Sequence, residues 1–159
     1  MIQRIQSVFL LIVVILSALL FVFPIADYYS DAATLKLLLT GVDSYVPKGA
    51  SLQTAVLSPY LVYFNILVNV AVAAIAGYAI LQYKRRPLQV KMVRIALLID
   101  IVLLVILFVI TDFLKKKLQV TPDYGVGILF PLISVVFLLL AQRAILKDER
   151  LVKSTDRLR

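Results

Sequence analysis

Asp100 is the residue on which any chemistry in this chain would turn, because it is the one acidic residue of nine that falls inside a long apolar stretch, Ile95 to Thr111. An ionised carboxylate near mid-bilayer costs about 2.5–3.5 kcal/mol on insertion scales, so it calls for a partner, water or a proton. At about 1.5 Å of helix per residue from the basic ends of the apolar stretches, Asp100 lies roughly 13 Å deep, with Ser134 near 12 Å, Ser17 near 17 Å and Asn69 near 18 Å. Four polar groups, one per stretch, can share one layer. The same group supports three readings: a polar clamp that fixes helix register, a contact for a partner subunit, or a proton or cation site. Relays string several acidic groups along a path, and here there is one.

Asn65, Asn69, Ala73 and Gly77 recur every four residues, which reads as a stripe of polar and small side chains along one helix. Small residues allow close helix approach, and asparagine hydrogen-bonds across a helix interface. Asn65 and Asn69 therefore join Asp100, Ser134 and Ser17 as a candidate intramembrane polar cluster, and Ala73 and Gly77 are candidate helix-packing positions. Arg94 is a conceivable counter-ion for Asp100, but six residues along a helix set it about 120° around the axis.

Other chemistry lacks its residues. The chain has no Cys and no His, so thiolate and imidazole chemistry and the usual zinc, haem and iron–sulfur ligation have no ligands. Its five glycines form neither a dinucleotide fingerprint nor a phosphate-binding loop. No cofactor and no metal are expected, and the acidic residues do not pair by spacing as a carboxylate enzyme would need. The expectation is a protein that is not an enzyme.

The elements that hold these residues follow from composition. Of 159 residues, 62% are hydrophobic and 16% charged, against about 45–50% and about 25% in soluble domains. With about 20 apolar residues needed per crossing, the chain accommodates four spans, near 7–23, 58–81, 92–111 and 124–142, as a single integral membrane domain. The first ends at Phe23-Pro24, and Pro24 disfavours cleavage after Ala26, so it reads as an uncleaved anchor. Ser58-Pro59 is a helix start, with proline at the first helical position. Gly125, Gly127 and Pro131 suggest a bent or loosely wound outer half of the fourth span. The expected fold is an all-α four-helix transmembrane bundle. Its one longer loop, 27–57, is either an irregular cap or carries a short hairpin, with a strand at Thr34 to Thr40 pairing near Val42 to Val46. The basic tail, 143–159, continues the last helix. Tyr28, Tyr29, Tyr60, Tyr83 and Tyr124 fall where an aromatic belt would sit.

Charge assigns the sides. Both termini and the loop between the second and third spans share one side, which carries twelve basic and three acidic residues, whereas the other carries five of each. Positive short loops resist translocation, so the +9 side is expected to be cytoplasmic. Lys84, Arg85, Arg86, Lys91, Arg143, Lys147 and Arg150 are candidates for contact with anionic phospholipid headgroups or a partner; the alternative is that they serve only topology and solvation. The basic residues flank spans rather than lining a soluble face, so nucleic acid is not an expected partner despite the net charge of +8. The expected partners are the bilayer itself and either another membrane protein or a second copy of the chain.

Five segments together carry a family resemblance: Met1 to Ser7, the Phe23-Pro24 break, Arg86-Pro87-Leu88-Gln89-Val90-Lys91, Gln142 to Glu149, and Arg157-Leu158-Arg159. The chain resembles the domain of unknown function 4293 family, small four-span inner-membrane proteins of Bacteroidetes-type bacteria. That resemblance implies a bacterial inner-membrane location and brings no reaction, ligand or catalytic residue. The leading functional expectation is an accessory or scaffold subunit of a membrane-protein complex; the alternative is a small proton- or cation-coupled transporter or channel using Asp100.

Overall fold

In the computed structural model, which describes residues 3–30, 33–45, 57–83 and 85–156, helices carry most of the chain. They are α1 Gln3–Leu19, α2 Pro59–Leu81, α3 Arg86–Leu118 and α4 Leu129–Asp156. Three of them, α2, α3 and α4, are long and apolar enough to cross a membrane, and α1 is a shorter apolar helix. Helix α1 packs against α2 and α4, and α3 packs against the same two neighbours.

The buried positions explain this arrangement. On α3 they include Val93, Ala96, Asp100, Leu103, Leu107, Ile110 and Leu114, spaced alternately by three and four, with Gln89, Val90 and Thr111 buried beside them. The same alternation runs through Gln6, Leu10, Val13, Ser17 and Leu20 at α1, through Asn65, Asn69, Val72, Ala76 and Ala79 on α2, and through Ser134, Leu138, Ala141, Ile145 and Asp148 on α4. A repeat averaging 3.5 residues keeps each helix's seam facing its neighbours when helices cross at a shallow left-handed angle. Leucine gains little by leaving lipid for such a seam, so packing rests on close van der Waals fit and on polar contacts, for which its Ala, Ser and Asn residues are suited.

This seam corrects the expected stripe. A series spaced strictly by four drifts roughly 40° per step around an α-helix. Asn65 and Asn69 are buried, but Ala73 and Gly77 have rotated to half-buried positions, and Ala76 and Ala79 occupy the seam instead.

The fold is also not all-α. A four-stranded antiparallel sheet, in the order β3-β2-β1-β4, covers one end of the helices. Its strands are β1 Ala26–Ser30, β2 Ala33–Leu38, β3 Gly41–Tyr45 and β4 Pro122–Tyr124. The β2–β3 pair is the expected hairpin, with Leu38 opposite Gly41. Alternation shapes β2 and the turn after it, because Leu35, Leu37 and Leu39 are buried, and Gly41 takes a φ of 143° that other residues rarely adopt. In register, Lys36 sits between Asp27 of β1 and Asp43 of β3. The expected pairing partner Val46, like the rest of 46–56, lies outside the described residues.

Three helices depart from the expected spans, beginning with α1, which runs Gln3–Leu19 rather than 7–23. Helix α3 extends from Arg86 to Leu118, well past 92–111 at both ends, because Pro87 falls in its first turn, where proline is tolerated, and nothing before Gln119 breaks it. Lys115, Lys116 and Lys117 thus belong to its last turn, where cations favour the helix dipole, and Lys116 pairs with Asp112 at 2.9 Å. Helix α4 begins at Leu129, after a single 3-10 turn at Val126–Ile128. Gly125 and Gly127 do not loosen a helix. Their N–H groups donate to the carbonyls of Ile25 and Pro24 at 3.0 and 2.8 Å, and a Cβ on either would lie within 2.6 Å of the Pro24 oxygen.

Candidate functional site

The seam positions of the four helices bring Ser17, Asn69, Asp100 and Ser134 together. These residues line one narrow pocket with Leu16, Leu20, Phe130 and Pro131, and the space is too small for a water molecule. The layer divides the buried apolar residues in two. On the sheet side lie Leu20, Val68, Leu103, Leu107 and Phe130, and on the other side Leu10, Val13, Val72, Val93, Ala96 and Leu138.

Within the layer, the Asn69 side-chain amide donates to the Ser17 carbonyl at 2.9 Å, tying α2 to α1. Asp100 and Ser134 are each 2% exposed, and Asp100 Oδ2 and Ser134 Oγ have no hydrogen-bond partner among the described residues. No basic side chain lines the pocket, and Arg94 is exposed, about 120° around α3 from Asp100. Asn65 is buried about one turn from Asn69 with an unpartnered Oδ1, outside the pocket. Chemically, the layer offers one carboxyl, hydroxyls and amides in a dry setting. Such a set can hold helix register or a proton.

A second polar layer, unforeseen from the sequence, closes the opposite end. Gln6 of α1 donates its side-chain amide to the carboxylate of Asp148 on α4. Arg86, at the start of α3, donates to the Asp148 backbone carbonyl at 3.3 Å, and Gln89 donates to the Ala79 carbonyl of α2 at 3.1 Å. All four helices are thereby joined. The signal was in the heptad: Gln6 lies four residues before Leu10, Gln89 four before Val93, and Asp148 three after Ile145, so each continues its helix's seam.

Of the expected basic contact residues, Arg85, Lys91, Arg143 and Lys147 are exposed. Arg86 is half-buried and turned toward Asp148, so the candidate surface loses one member. Arg150 belongs to α4, and Lys84 lies outside the described residues. At the sheet end, Tyr29, Tyr60 and Tyr124 are exposed as belt residues would be, as is Tyr83 beyond the opposite end of α2, but Tyr28 is 1% exposed. Its hydroxyl donates to the Thr111 carbonyl of α3 at 2.9 Å, and burial pushes it up to about 12. Alternation explains the difference, since Tyr28 shares the inward face of β1 with Ala26, while Tyr29 faces out.

Among the described residues, no group of three acidic, His or Cys side chains could hold a metal ion. A family model described as Domain of unknown function (DUF4293) matches residues 2–158, nearly the entire chain. The chain belongs to the DUF4293 family. No curated protein and no solved structure matches it. The features of this DUF4293 member that could serve a function are the two polar layers and the outward helix faces.

Proposed function

We propose that the protein is a four-span inner-membrane protein, with both termini cytoplasmic, that serves as an accessory or scaffold subunit of a membrane-protein complex rather than as an enzyme. Helix α1 supplies the fourth span. With the hydrogen-bonded turn that continues it to Phe23, it reaches about 30 Å, the thickness of a bilayer core. The layer of Gln6, Arg86 and Asp148 gathers the ends of α1, α3 and α4 that carry most of the basic residues, which supports placing that end in the cytoplasm. The observation that carries the scaffold reading is the filled interior. Polar groups are closed between two apolar clusters with no room for water, which leaves the outward faces as working surface.

Affinity purification from cross-linked native membranes tests this reading. A distinct membrane protein should be recovered in fixed ratio, and its yield should fall when Arg143→Glu and Lys147→Glu are combined. Recovery of this chain alone overturns the reading. The unpartnered atoms of Asp100 and Ser134 favour a second reading, a small proton- or cation-coupled transporter or channel. Purified protein in liposomes would then drive flux that Asp100→Asn abolishes; flux equal to that of empty liposomes sinks it.

A further inference from the structure

The layer between the two apolar clusters poses a specific question of occupancy. A buried carboxyl oxygen of Asp100 and a buried hydroxyl of Ser134 are left without partners among the described residues, and unsatisfied buried polar atoms call for an explanation. The charges that could answer are absent. Facing Asp100 are Leu16 and Ser17 from α1, Leu20 from the turn after it, Asn69 from α2, and Phe130, Pro131 and Ser134 from α4, none of them titratable in the accessible range. The Asn69 amide gives one of its two N–H groups to the Ser17 carbonyl. An ionised carboxylate presents about four acceptor sites, and the donors lining the pocket are neutral ones alone, the second Asn69 N–H and the hydroxyls of Ser17 and Ser134.

A metal cation also fits poorly. Calcium takes about 6–8 oxygen ligands and magnesium demands octahedral geometry, whereas this pocket offers one carboxyl, two serine side chains and one amide, in a space smaller than a water molecule. A proton needs no added space. On a carboxyl it removes the charge and creates a donor, so that the carboxyl and the Ser134 hydroxyl can each give and accept a hydrogen bond.

We propose that Asp100 is a proton-binding site, occupied at neutral pH by a proton that its carboxyl shares with the Ser134 hydroxyl, and closed to metal cations. Occupancy stands apart from transport: a site can hold a proton permanently and move none.

Infrared difference spectroscopy on the full chain in liposomes tests the proposal. Subtracting Asp100→Asn from wild type at neutral pH cancels the other carboxyls and leaves the signal of Asp100. The expected result is the carbonyl stretch of a neutral carboxyl, displaced in deuterated buffer, shifted again in Ser134→Ala, and unchanged by sodium, lithium or calcium chloride. If Asp100→Asn does not fold, Asp100→Glu replaces it and should keep a neutral-carboxyl band at altered frequency. A carboxylate band in place of the carbonyl stretch overturns the proposal, as does loss of that stretch on adding any of the three cations. Flux assays report on the transporter reading separately, so a neutral band without flux rejects transport and leaves the proton site in place.

Discussion

The same substitution at two glycines should have opposite effects. At Gly127 a Cβ would stand 2.6 Å from the Pro24 carbonyl oxygen and 2.7 Å from that of Phe23. Both obstacles are backbone atoms of the turn that closes α1, so they cannot swing aside as a flexible side chain would. Relief requires the 3-10 turn to move away from Pro24, which also stretches the 2.8 Å hydrogen bond from Gly127 N to the Pro24 oxygen. Overpacking costs about 1–3 kcal/mol and a lost hydrogen bond about 1 kcal/mol, so Gly127→Ala should cost about 2–4 kcal/mol. At Gly77 a Cβ meets nothing within 4 Å, and alanine is the better helix former by about 1 kcal/mol. For a chain of this size a kcal/mol moves the melting temperature by about 2–4 °C. Thermal unfolding in a mild detergent should therefore show Gly127→Ala lower by about 4–16 °C and Gly77→Ala unchanged or higher by about 2–4 °C. An unaffected Gly127→Ala would refute the account of the turn. A strongly destabilised Gly77→Ala would refute the placement of that face outside the helix seam.

Tyr28→Phe removes the bond to the Thr111 carbonyl and leaves that carbonyl unpaired, so chemical unfolding should show a loss of about 1–3 kcal/mol. With Tyr28 held up to about 12 in the folded protein and an ordinary value near 10 when unfolded, the unfolded chain releases its proton first. Stability should then fall as pH rises from about 10 to about 12, and this slope should be lost in Tyr28→Phe. Asp112→Asn breaks an exposed pair with Lys116 and should leave the unfolding midpoint in the same assay essentially unchanged. Because the chain contains no Cys, single cysteines at Lys117 and Lys147 can be labelled with an impermeant maleimide in intact cells. The proposed orientation expects Lys117→Cys to react from outside and Lys147→Cys only after lysis; the reverse pattern overturns it.

The helical part of the fold was legible because apolar runs of this length have few alternatives in water. The layer of Ser17, Asn69, Asp100 and Ser134 could be assembled by counting residues from the span ends, since each helix rises by a fixed amount. The second layer was not, although Gln6, Gln89 and Asp148 continue the 3-4 alternation. They sit among charged residues at helix ends, where polarity is expected and a buried position stands out only once the seam is known. The sheet was legible in half. Leucine alternation marks β2, but Asp27-Tyr28-Tyr29-Ser30 reads as a loop until it pairs with β2 along its whole length, and the three-residue β4, with no pattern of its own, is a strand because it pairs with β1. The charge of the Lys115 to Lys117 run ends the apolar stretch, yet charge ends a membrane span without ending a helix.

The pairing of β1 with β4 also orders events during synthesis. Strand β1 leaves the ribosome directly after α1, but its neighbour on one side comes from Pro122–Tyr124, beyond the whole of α2 and α3. Until then β1 presents an open edge, and the turn at Pro24 lacks the two glycine contacts that close over it. The latch is therefore the last part of that end to be made. It can shut only on a chain whose α3 has already been laid down, so a nascent chain stalled before Pro122 would expose an unfinished edge strand for quality control to find.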